Sequence, residues 1–293
     1  MRRGWHSDLA RALAGGSARR LARVRYGPAA QPGARRRRCG VDLFDLTGKV
    51  AVVTGGTRGI GMMIARGFLQ AGARVYISSR KAEAGDAAVA ELSEFGTVVS
   101  IPADVSKEAE CIRLAEEVGK REEQVHILVN NAGATWGEDL EKFPESAWDK
   151  VLDLNLKAPF FVTRAFLPLL EKAASHEDPA RVINIGSIAG LQPTAARTYS
   201  YSTSKAAVHQ LTRNLAKELA PRRITVNAVA PGPFESKMMA ATLAAAGDEM
   251  TKRVPLGRIG RPDDMAGIAI FLSSRAGSYL TGTIIPVDGG IAT

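Results

Sequence analysis

A tyrosine and a lysine stand four residues apart in the segment Tyr201-Ser-Thr-Ser-Lys205. Residues at this spacing share one face of an α-helix, so the ammonium group of the lysine can lie beside the phenol. A neighbouring positive charge favours the ionised phenol and lowers its pKa from the reference value of about 10. The pair therefore has the composition of an acid–base group that works near neutral pH.

A glycine-rich turn follows the first apolar run of the chain, Lys49–Val53. A turn of this kind before a helix binds pyrophosphate, because the helix N-terminus presents free N–H groups and the positive end of its dipole. We expect Gly55 to let the strand end sharply, Gly59 to let the backbone approach the pyrophosphate, and Gly61 to let the helix pack closely. The predicted cofactor contacts in this turn are Thr54, Gly55, Thr57, Arg58, Gly59, Ile60 and Gly61.

The residues after the second predicted strand indicate which nicotinamide cofactor is bound. An acid at this place would bind the adenosine ribose hydroxyls of NAD, but the chain has Ser79-Arg80. Arg80 and Arg58 can pair with a 2′-phosphate, which an acidic side chain would repel. The sequence therefore predicts NADPH. After the third strand, Asp104-Val105 is predicted either to accept a hydrogen bond from the adenine amino group or to cap the next helix.

Elements that could position these residues alternate along the chain from Leu46 onward. Short apolar runs predict seven strands, at 49–53, 74–78, 98–102, 125–130, 181–186, 224–229 and 283–287. Helical segments are predicted at 60–72, 81–95, 106–122, 145–173 with a break near Pro159, 199–220 and 262–273. Alternating strands and helices form a parallel sheet covered on both faces. We therefore expect one α/β domain over residues 45–293, with a doubly wound seven-stranded parallel sheet.

The basic charge of the chain lies in its first forty residues. The formal net charge is +9, and residues 1–40 hold eleven arginines and one acid, Asp8, which leaves the remainder at about −1. A basic tail does not indicate a nucleic-acid-binding face. We expect residues 1–44 to be disordered, since they carry few bulky apolar side chains. They resemble a transit peptide for the mitochondrion or another organelle, sequence upstream of the true start, or a basic patch for phosphate or membrane.

Other features of the composition exclude several classes of protein. No apolar run reaches the ~18 to 20 residues that span a bilayer, so we expect a soluble, cytoplasmic protein with no membrane span. Cys39 and Cys111 lack metal-ligand spacing and are far apart in the sequence. We predict reduced cysteines and no metal site.

The motifs together resemble one family. The glycine turn, Asn130-Asn131-Ala132-Gly133, Asn155, Ser187, Tyr201, Lys205 and Pro231-Gly232 follow, in order, the pattern of the short-chain dehydrogenase/reductases. The resemblance covers about residues 46–293. Within the family, the segment Val-Ile-Asn-Ile-Gly-Ser187 is similar to β-ketoacyl reductases, above all the rhamnolipid-associated kind. So are Trp136, Pro255–Arg258 and Asp288–Gly290.

The resemblance implies a Rossmann-like fold and a catalytic set of four residues. Tyr201 would donate a proton to the substrate carbonyl oxygen, and Lys205 would lower the pKa of Tyr201 and hold the nicotinamide ribose. Ser187 would polarise the carbonyl. Asn155 would bind a water that connects Lys205 to solvent. Trp136 is expected to contact substrate together with Ser187 and Tyr201.

Further cofactor contacts and one lid are implied in the same way. The backbone of Asn131, Ala132 and Gly133 would approach the cofactor, while Pro231, Gly232 and Ser236 would face the nicotinamide carboxamide. Met238 and Met239, with the Ala-rich stretch 240–246, fall in a segment that closes over substrate in the family, although such residues suit helix packing equally.

Two histidines stand near these motifs. His126 occupies a place where the family usually has aspartate, and we expect no loss of catalysis from it. His209 lies one helical turn beyond Lys205 and is predicted to be a surface or subunit-interface residue.

The sequence thus predicts an NADPH-dependent reductase of a 3-oxoacyl thioester on acyl carrier protein or coenzyme A. We expect a homotetramer or homodimer formed through the helices around residues 145–220, and no nucleic-acid partner. One alternative is an NADP-dependent dehydrogenase of a secondary alcohol, sugar or steroid, since one fold hosts many substrates. The other is a non-catalytic NADP(H)-binding regulator.

Overall fold

Short β-branched and aliphatic runs form one seven-stranded sheet. The computed structural model describes residues 43–193, 196–235, 247 and 251–293. The strands are β1 (Val50–Thr54), β2 (Arg74–Ser79), β3 (Val98–Pro102), β4 (Ile127–Asn130), β5 (Ala180–Ile185), β6 (Ile224–Pro231) and β7 (Ile284–Val287). Their order in the sheet is β3-β2-β1-β4-β5-β6-β7, and all neighbours pair in parallel. The predicted seven-stranded parallel sheet is confirmed.

Amphipathic helices cover both faces of the sheet. They are α1 (Gly59–Gln70), α2 (Ala82–Leu92), α3 (Glu108–Gly119), α4 (Glu145–Leu152), α5 (Ala158–Ala173), α6 (Tyr199–Leu219) and α7 (Pro262–Ser273). On one face, Phe68 of α1, Leu92 of α2 and Met265 of α7 belong to one buried apolar cluster. On the other face, Phe166 of α5 and Leu219 of α6 belong to a second. The sheet is therefore doubly wound, as a buried parallel sheet requires.

The strand order reverses between β1 and β4. From β1 the chain moves outward to β2 and β3, then returns to place β4 on the other side of β1. In open α/β sheets, ligands bind at such a switch point, beyond the carboxyl ends of the strands. Because Val53 pairs with Val129, the glycine turn after β1 and the Asn-Asn-Ala-Gly segment after β4 leave the sheet side by side.

The long helix predicted at 145–173 is interrupted slightly earlier than expected. A π-helical turn, Asp153–Lys157, separates α4 from α5, and Pro159 lies in the first turn of α5. Proline has no N–H, so the carbonyl of Asn155 cannot receive the usual hydrogen bond from four residues later. A local π turn accommodates this gap, and such turns are frequent at functional sites.

Several predictions concern residues outside the described ranges. Ser236, Met238, Met239 and the stretch 240–246 are among them, as are residues 1–42 of the Arg-rich segment. Within the described part of the chain, no helix combines the length and apolar character needed to cross a bilayer.

Candidate active site

The glycine turn after β1 has the backbone geometry of an anion-binding loop. Gly55 and Gly59 have φ values of +65° and +54°, a region where side-chain-bearing residues are strained. A β-carbon on Gly61 would lie 2.3 Å from the carbonyl oxygen of Gly55, so the expected close packing is present. Arg58, the N-cap residue of α1, makes no side-chain cap hydrogen bond. The first-turn N–H groups of α1 are therefore available to a pyrophosphate.

Thr54 and Asn131 tie the ends of β1 and β4 together. The Thr54 hydroxyl accepts hydrogen bonds from the backbone N–H of Asn131 at 3.0 Å and of Ala132 at 3.1 Å. In return, Asn131 Nδ2 donates to the carbonyls of Thr54 at 2.9 Å and Gly55 at 3.0 Å. Both residues were predicted as cofactor contacts, Asn131 through its backbone. Their side chains are committed to protein and fix the shape of the crevice.

Two arginines lie at the expected ribose end of the crevice. Arg58 and Arg80 are both exposed, and neither forms an ion pair with any described residue. Ser79 Oγ donates instead to the carbonyl of Lys81 at 2.8 Å. One guanidinium group at the start of α1 and another directly after β2, both without an ion-pair partner among the described residues, fit a 2′-phosphate.

Asp104 follows β3 at the same edge of the sheet. Its Oδ1 accepts hydrogen bonds from the Ser106 hydroxyl at 2.7 Å and the Ser106 N–H at 3.4 Å. Asp104 therefore closes the turn before α3 and does not cap the helix, whose N-cap residue is Lys107 without a side-chain cap hydrogen bond. Val105 is buried in the core, so only its backbone is left to approach a cofactor.

Helix α6 brings Tyr201 and Lys205 together one turn apart. Lys205 Nζ lies 5.6 Å from the centroid of the Tyr201 ring and donates a 2.7 Å hydrogen bond to the carbonyl of Ile185 at the end of β5. Lys205 is buried, and burial lowers its pKa from 10.5 to about 8. The lysine therefore remains mostly an ammonium at pH 7.

The expected lowering of the Tyr201 pKa is not what the structure shows. Although part of the side chain is accessible, desolvation of the phenol raises its pKa, and the Ser187 hydroxyl opposes this as a hydrogen-bonding partner. Desolvation destabilises a phenolate, whereas spacing alone reports only that a cation is near. The phenol is thus held protonated, the form that donates a proton.

Ser187 reaches Tyr201 because β5 ends beside α6. The serine has an extended backbone, and its Oγ accepts a 3.1 Å hydrogen bond from the N–H of Ala189. It is buried. Its hydroxyl is the group that lowers the pKa of Tyr201, so the two residues predicted to contact a carbonyl oxygen are adjacent.

Asn155 is buried in the π-helical turn and its side chain is fully engaged. Oδ1 accepts from the N–H of Ala134 at 2.8 Å, while Nδ2 donates to the carbonyl of Ala134 at 3.0 Å and to Ser204 Oγ at 2.9 Å. A β-carbon on Gly133 would lie 3.2 Å from Asn155 Oδ1 and 3.9 Å from Lys205 Nζ. Asn155 and Lys205 therefore meet beneath the Asn-Asn-Ala-Gly segment. The main-chain carbonyl of Asn155 has no donor four residues later, because Pro159 lacks an N–H.

Ser204 is a site residue that the sequence analysis missed. Its hydroxyl donates to the carbonyl of Tyr201 at 2.7 Å and accepts from Asn155 Nδ2. It therefore links α6 to the π-helical turn. Its place within the motif, directly before Lys205, was the only signal.

Two ring contacts around α4 were also missed. Lys150 Nζ of α4 lies 5.0 Å from the centroid of the Trp136 ring. Phe143 packs edge-on against Trp148 at 6.1 Å and Tyr199 at 5.4 Å. The aromatic residues around α4 and at the start of α6 were a usable sequence signal for the Phe143, Trp148 and Tyr199 cluster.

Pro231 and Gly232 extend the same edge beyond β6. The N–H of Gly232 donates to the carbonyl of Val287 at 3.0 Å, and a β-carbon on Gly232 would lie 2.7 Å from Asp288 Cα. Asp288 in turn accepts hydrogen bonds from the N–H groups of Gly290 at 2.9 Å and Ala292 at 2.7 Å. The glycine is needed for this close approach to the turn after β7.

The two histidines have different settings. His126 Nδ1 accepts a 3.0 Å hydrogen bond from the N–H of Val50, at the opposite end of the sheet from Tyr201. The prediction of a surface position for His209 is wrong, because its side chain is buried, with only 2% of its area exposed. His209 lies on the same face of α6 as Lys205, and both side chains of this face are buried.

Fold and site together define a nicotinamide-dependent oxidoreductase of the short-chain dehydrogenase/reductase family, to which the chain belongs. A family model described as enoyl-(acyl carrier protein) reductase matches residues 55–292.

Particular relatives are closely similar. The chain is 50% identical over 249 residues to the rhamnolipids biosynthesis 3-oxoacyl-acyl-carrier-protein reductase of Pseudomonas aeruginosa, covering 84% of this chain and 97% of that protein. It is 36% identical to the 3-oxoacyl-acyl-carrier-protein reductase FabG of Aquifex aeolicus, covering 84% and 98%. The solved active-site complex of P. aeruginosa RhlG with NADP superimposes with a TM-score of 0.83 at 49% identity, covering 86% of this chain and 99% of that one.

Proposed function

We propose that this protein is an NADPH-dependent reductase of 3-oxoacyl thioesters. The observation that carries the proposal is the desolvated Tyr201 phenol beside the Ser187 hydroxyl and the Lys205 ammonium. These groups lie at the carboxyl edge of a sheet whose first turn fits a pyrophosphate. The curated relatives named above are 3-oxoacyl-acyl-carrier-protein reductases, and one solved relative is a complex with NADP.

NADPH fits the residues present at the crevice. The open N-terminus of α1 and the positive φ values of Gly55 and Gly59 suit the pyrophosphate. Arg58 and Arg80 suit the 2′-phosphate, and Lys205 suits the nicotinamide ribose. The chemistry supplied by bound NADPH is transfer of a hydride to the carbonyl carbon of the substrate.

The protein residues supply the proton and stabilise charge on oxygen. Ser187 donates a hydrogen bond to the carbonyl oxygen and polarises it. As the C–H bond forms and the C=O π bond breaks, Tyr201 transfers its hydroxyl proton to that oxygen, which completes the alcohol. The Lys205 ammonium stabilises the phenolate left on Tyr201. The attraction between the two charges is stronger than in water because the site is desolvated.

The proton lost by Tyr201 is replaced from solvent. Lys205 is one turn from Tyr201, and Asn155 lies beneath it. The main-chain carbonyl of Asn155 has no donor four residues later, since Pro159 lacks an N–H. A water on this carbonyl can connect Lys205 to solvent, in line with the relay implied by the family resemblance. The asparagine side chain keeps that turn fixed against Ala134.

Acyl carrier protein is the proposed carrier of the thioester, on the strength of the relatives' names. Trp136 is the proposed apolar contact for the acyl group. The assembly of two or four copies through the helices around residues 145–220 stays a prediction, and the exposed Phe160 of α5 lies within that range.

The test mixes purified protein with an acetoacetyl thioester and follows the loss of reduced-nicotinamide absorbance, with NADPH and NADH in parallel. We expect NADPH-selective turnover that falls at least about 100-fold in Tyr201→Phe, while NADPH still raises the melting temperature of that variant. Tyr279→Phe is the matched control, because Tyr279 is fully exposed. Turnover of alcohols or sugars but not thioesters would contradict the substrate and favour the first alternative. NADPH binding without turnover of any substrate would favour the regulator.

A further inference from the structure

We propose that His209 is a positioning residue that sets the location of the Ser187 hydroxyl relative to Tyr201. The inference rests on the proposed function, in which Ser187 polarises the substrate carbonyl. It assigns a role to a buried titratable side chain that the mechanism above does not use.

His209 lies on the same helix face as Tyr201 and Lys205, one turn beyond Lys205 and two turns beyond Tyr201. Burial lowers the pKa of His209 to about 4, and the charges of Lys205 and Arg213 act in the same direction. The imidazole is therefore neutral at physiological pH. No described residue places a donor or acceptor in hydrogen-bonding geometry with either ring nitrogen, although the Gly190 backbone is near enough to oppose the shift in part.

The imidazole lies against both ends of the segment that carries Ser187. A β-carbon on Gly186 would lie 2.2 Å from His209 Nε2 and 2.7 Å from Cδ2, and one on Gly190 would lie 2.9 Å from Cε1. Real β-carbons do not approach other atoms this closely. The ring thus occupies the space that side chains at these two positions would need.

This contact joins the two halves of the catalytic set. Ser187 leaves the sheet with β5, whereas Tyr201 and Lys205 are fixed by α6, so their separation depends on what packs between the strand end and the helix. His209 is the large side chain of α6 in contact with both glycines that flank Ser187. Removal of the ring leaves a cavity into which Ser187 can shift, and a displacement of about 1 Å at a reacting group can cost up to about 100-fold in rate.

A double-mutant cycle tests the spacing. We expect His209→Ala and Gly186→Ala each to lower kcat about tenfold, with KM for NADPH within about threefold of wild type. The combined variant should turn over at least about fivefold faster than Gly186→Ala alone, because the new methyl group takes the space of the ring. His209→Leu, which restores apolar volume, should recover most of the turnover lost in His209→Ala.

Gly190→Ala is the matched control. Its β-carbon would meet the backbone N of Ala206 and the carbonyl C of Lys205, both at 2.6 Å. Because these are backbone atoms, His209→Ala should not restore turnover to Gly190→Ala.

Two results would overturn the proposal: additive losses of kcat in the His209/Gly186 pair, or a His209→Ala variant that melts earlier with kcat unchanged. The second is the behaviour of a merely structural core residue. If the wild type does not reduce thioesters, the proposed function fails by itself. The double-mutant cycle is then measured with whichever ketone or alcohol the protein turns over. In every case the free energies of unfolding of the same variants are measured as well. Additive changes in these free energies for His209→Ala and Gly186→Ala would also refute the contact.

Discussion

Asn155 holds both backbone polar groups of Ala134 with one side chain. Its Oδ1 accepts from the Ala134 N–H at 2.8 Å and its Nδ2 donates to the Ala134 carbonyl at 3.0 Å. These two hydrogen bonds fix the π-helical turn against the segment that follows β4. The amide therefore fixes the backbone geometry around Lys205.

Replacing Asn155 with alanine should lower stability and turnover together. The change leaves the N–H and carbonyl of Ala134 without partners, and unpaired buried groups cost about 1–3 kcal/mol. We expect the free energy of unfolding to fall by that amount and kcat to fall more than tenfold, measured by denaturant unfolding and steady-state kinetics. Asn214→Ala, on the exposed side of α6, should change neither. Full activity in Asn155→Ala would show that the Asn155 side chain does not position the backbone around Lys205 for catalysis.

Cofactor selectivity should depend on the two exposed arginines. We expect Arg58→Ala and Arg80→Ala each to reduce kcat/KM for NADPH about tenfold, since a hydrogen bond to a charged group contributes about 1.5–3 kcal/mol. The value for NADH should change less than threefold, because NADH lacks the 2′-phosphate. The measurement is kcat/KM with both cofactors at one fixed ionic strength.

A control for that comparison is Arg66, which lies in α1, the helix that follows the glycine turn. Arg66 of α1 stacks over the Phe95 ring, with its guanidinium carbon 4.4 Å from the ring centroid, so it is occupied elsewhere. Arg66→Ala should leave the NADPH-to-NADH ratio unchanged. An equal loss with both cofactors in Arg58→Ala and Arg80→Ala would show that these residues do not read the 2′-phosphate.

The strands and the catalytic spacing were predictable because each depends on local sequence. Short β-branched runs that alternate with helices predict a buried sheet covered on both faces. A spacing of four residues on a helix places Tyr201 and Lys205 on the same face. Pro159 marked the break between α4 and α5 for the same local reason, although not its form as a π turn.

Properties that depend on three-dimensional surroundings were not predictable. The raised pKa of Tyr201 reflects desolvation, which spacing does not report. The burial of His209 depends on Gly186 and Gly190, which lie about twenty residues away in the sequence and meet the ring only once β5 and α6 have packed. Ser204 and the aromatic cluster around Phe143 likewise gain their roles from contacts between separate elements.

Lys205 should leave a pH signature in the stability of the cofactor-free protein. Burial lowers its pKa from 10.5 to about 8, so between these values the unfolded chain binds more protons than the folded one. Stability from this group therefore rises with pH across that window and is unaffected by pH below it. Lys205→Met removes the titrating group and with it the cost of burying an ammonium at pH 7. The difference in free energy of unfolding between Lys205→Met and wild type, measured by denaturant unfolding, should therefore shift toward wild type between pH 7 and pH 10. A constant difference would contradict the lowered pKa.

The same titration should limit catalysis on the alkaline side. Loss of the Lys205 proton removes the charge that stabilises the Tyr201 phenolate, so kcat/KM for NADPH, which reports ionisations of the free enzyme, should fall as pH rises through about 8. His209 does not titrate in this range, since its pKa is about 4, and His209→Leu should keep the same alkaline limb. A profile that stays flat to pH 9.5 would show that Lys205 acts only through hydrogen bonds that its neutral amine can also make.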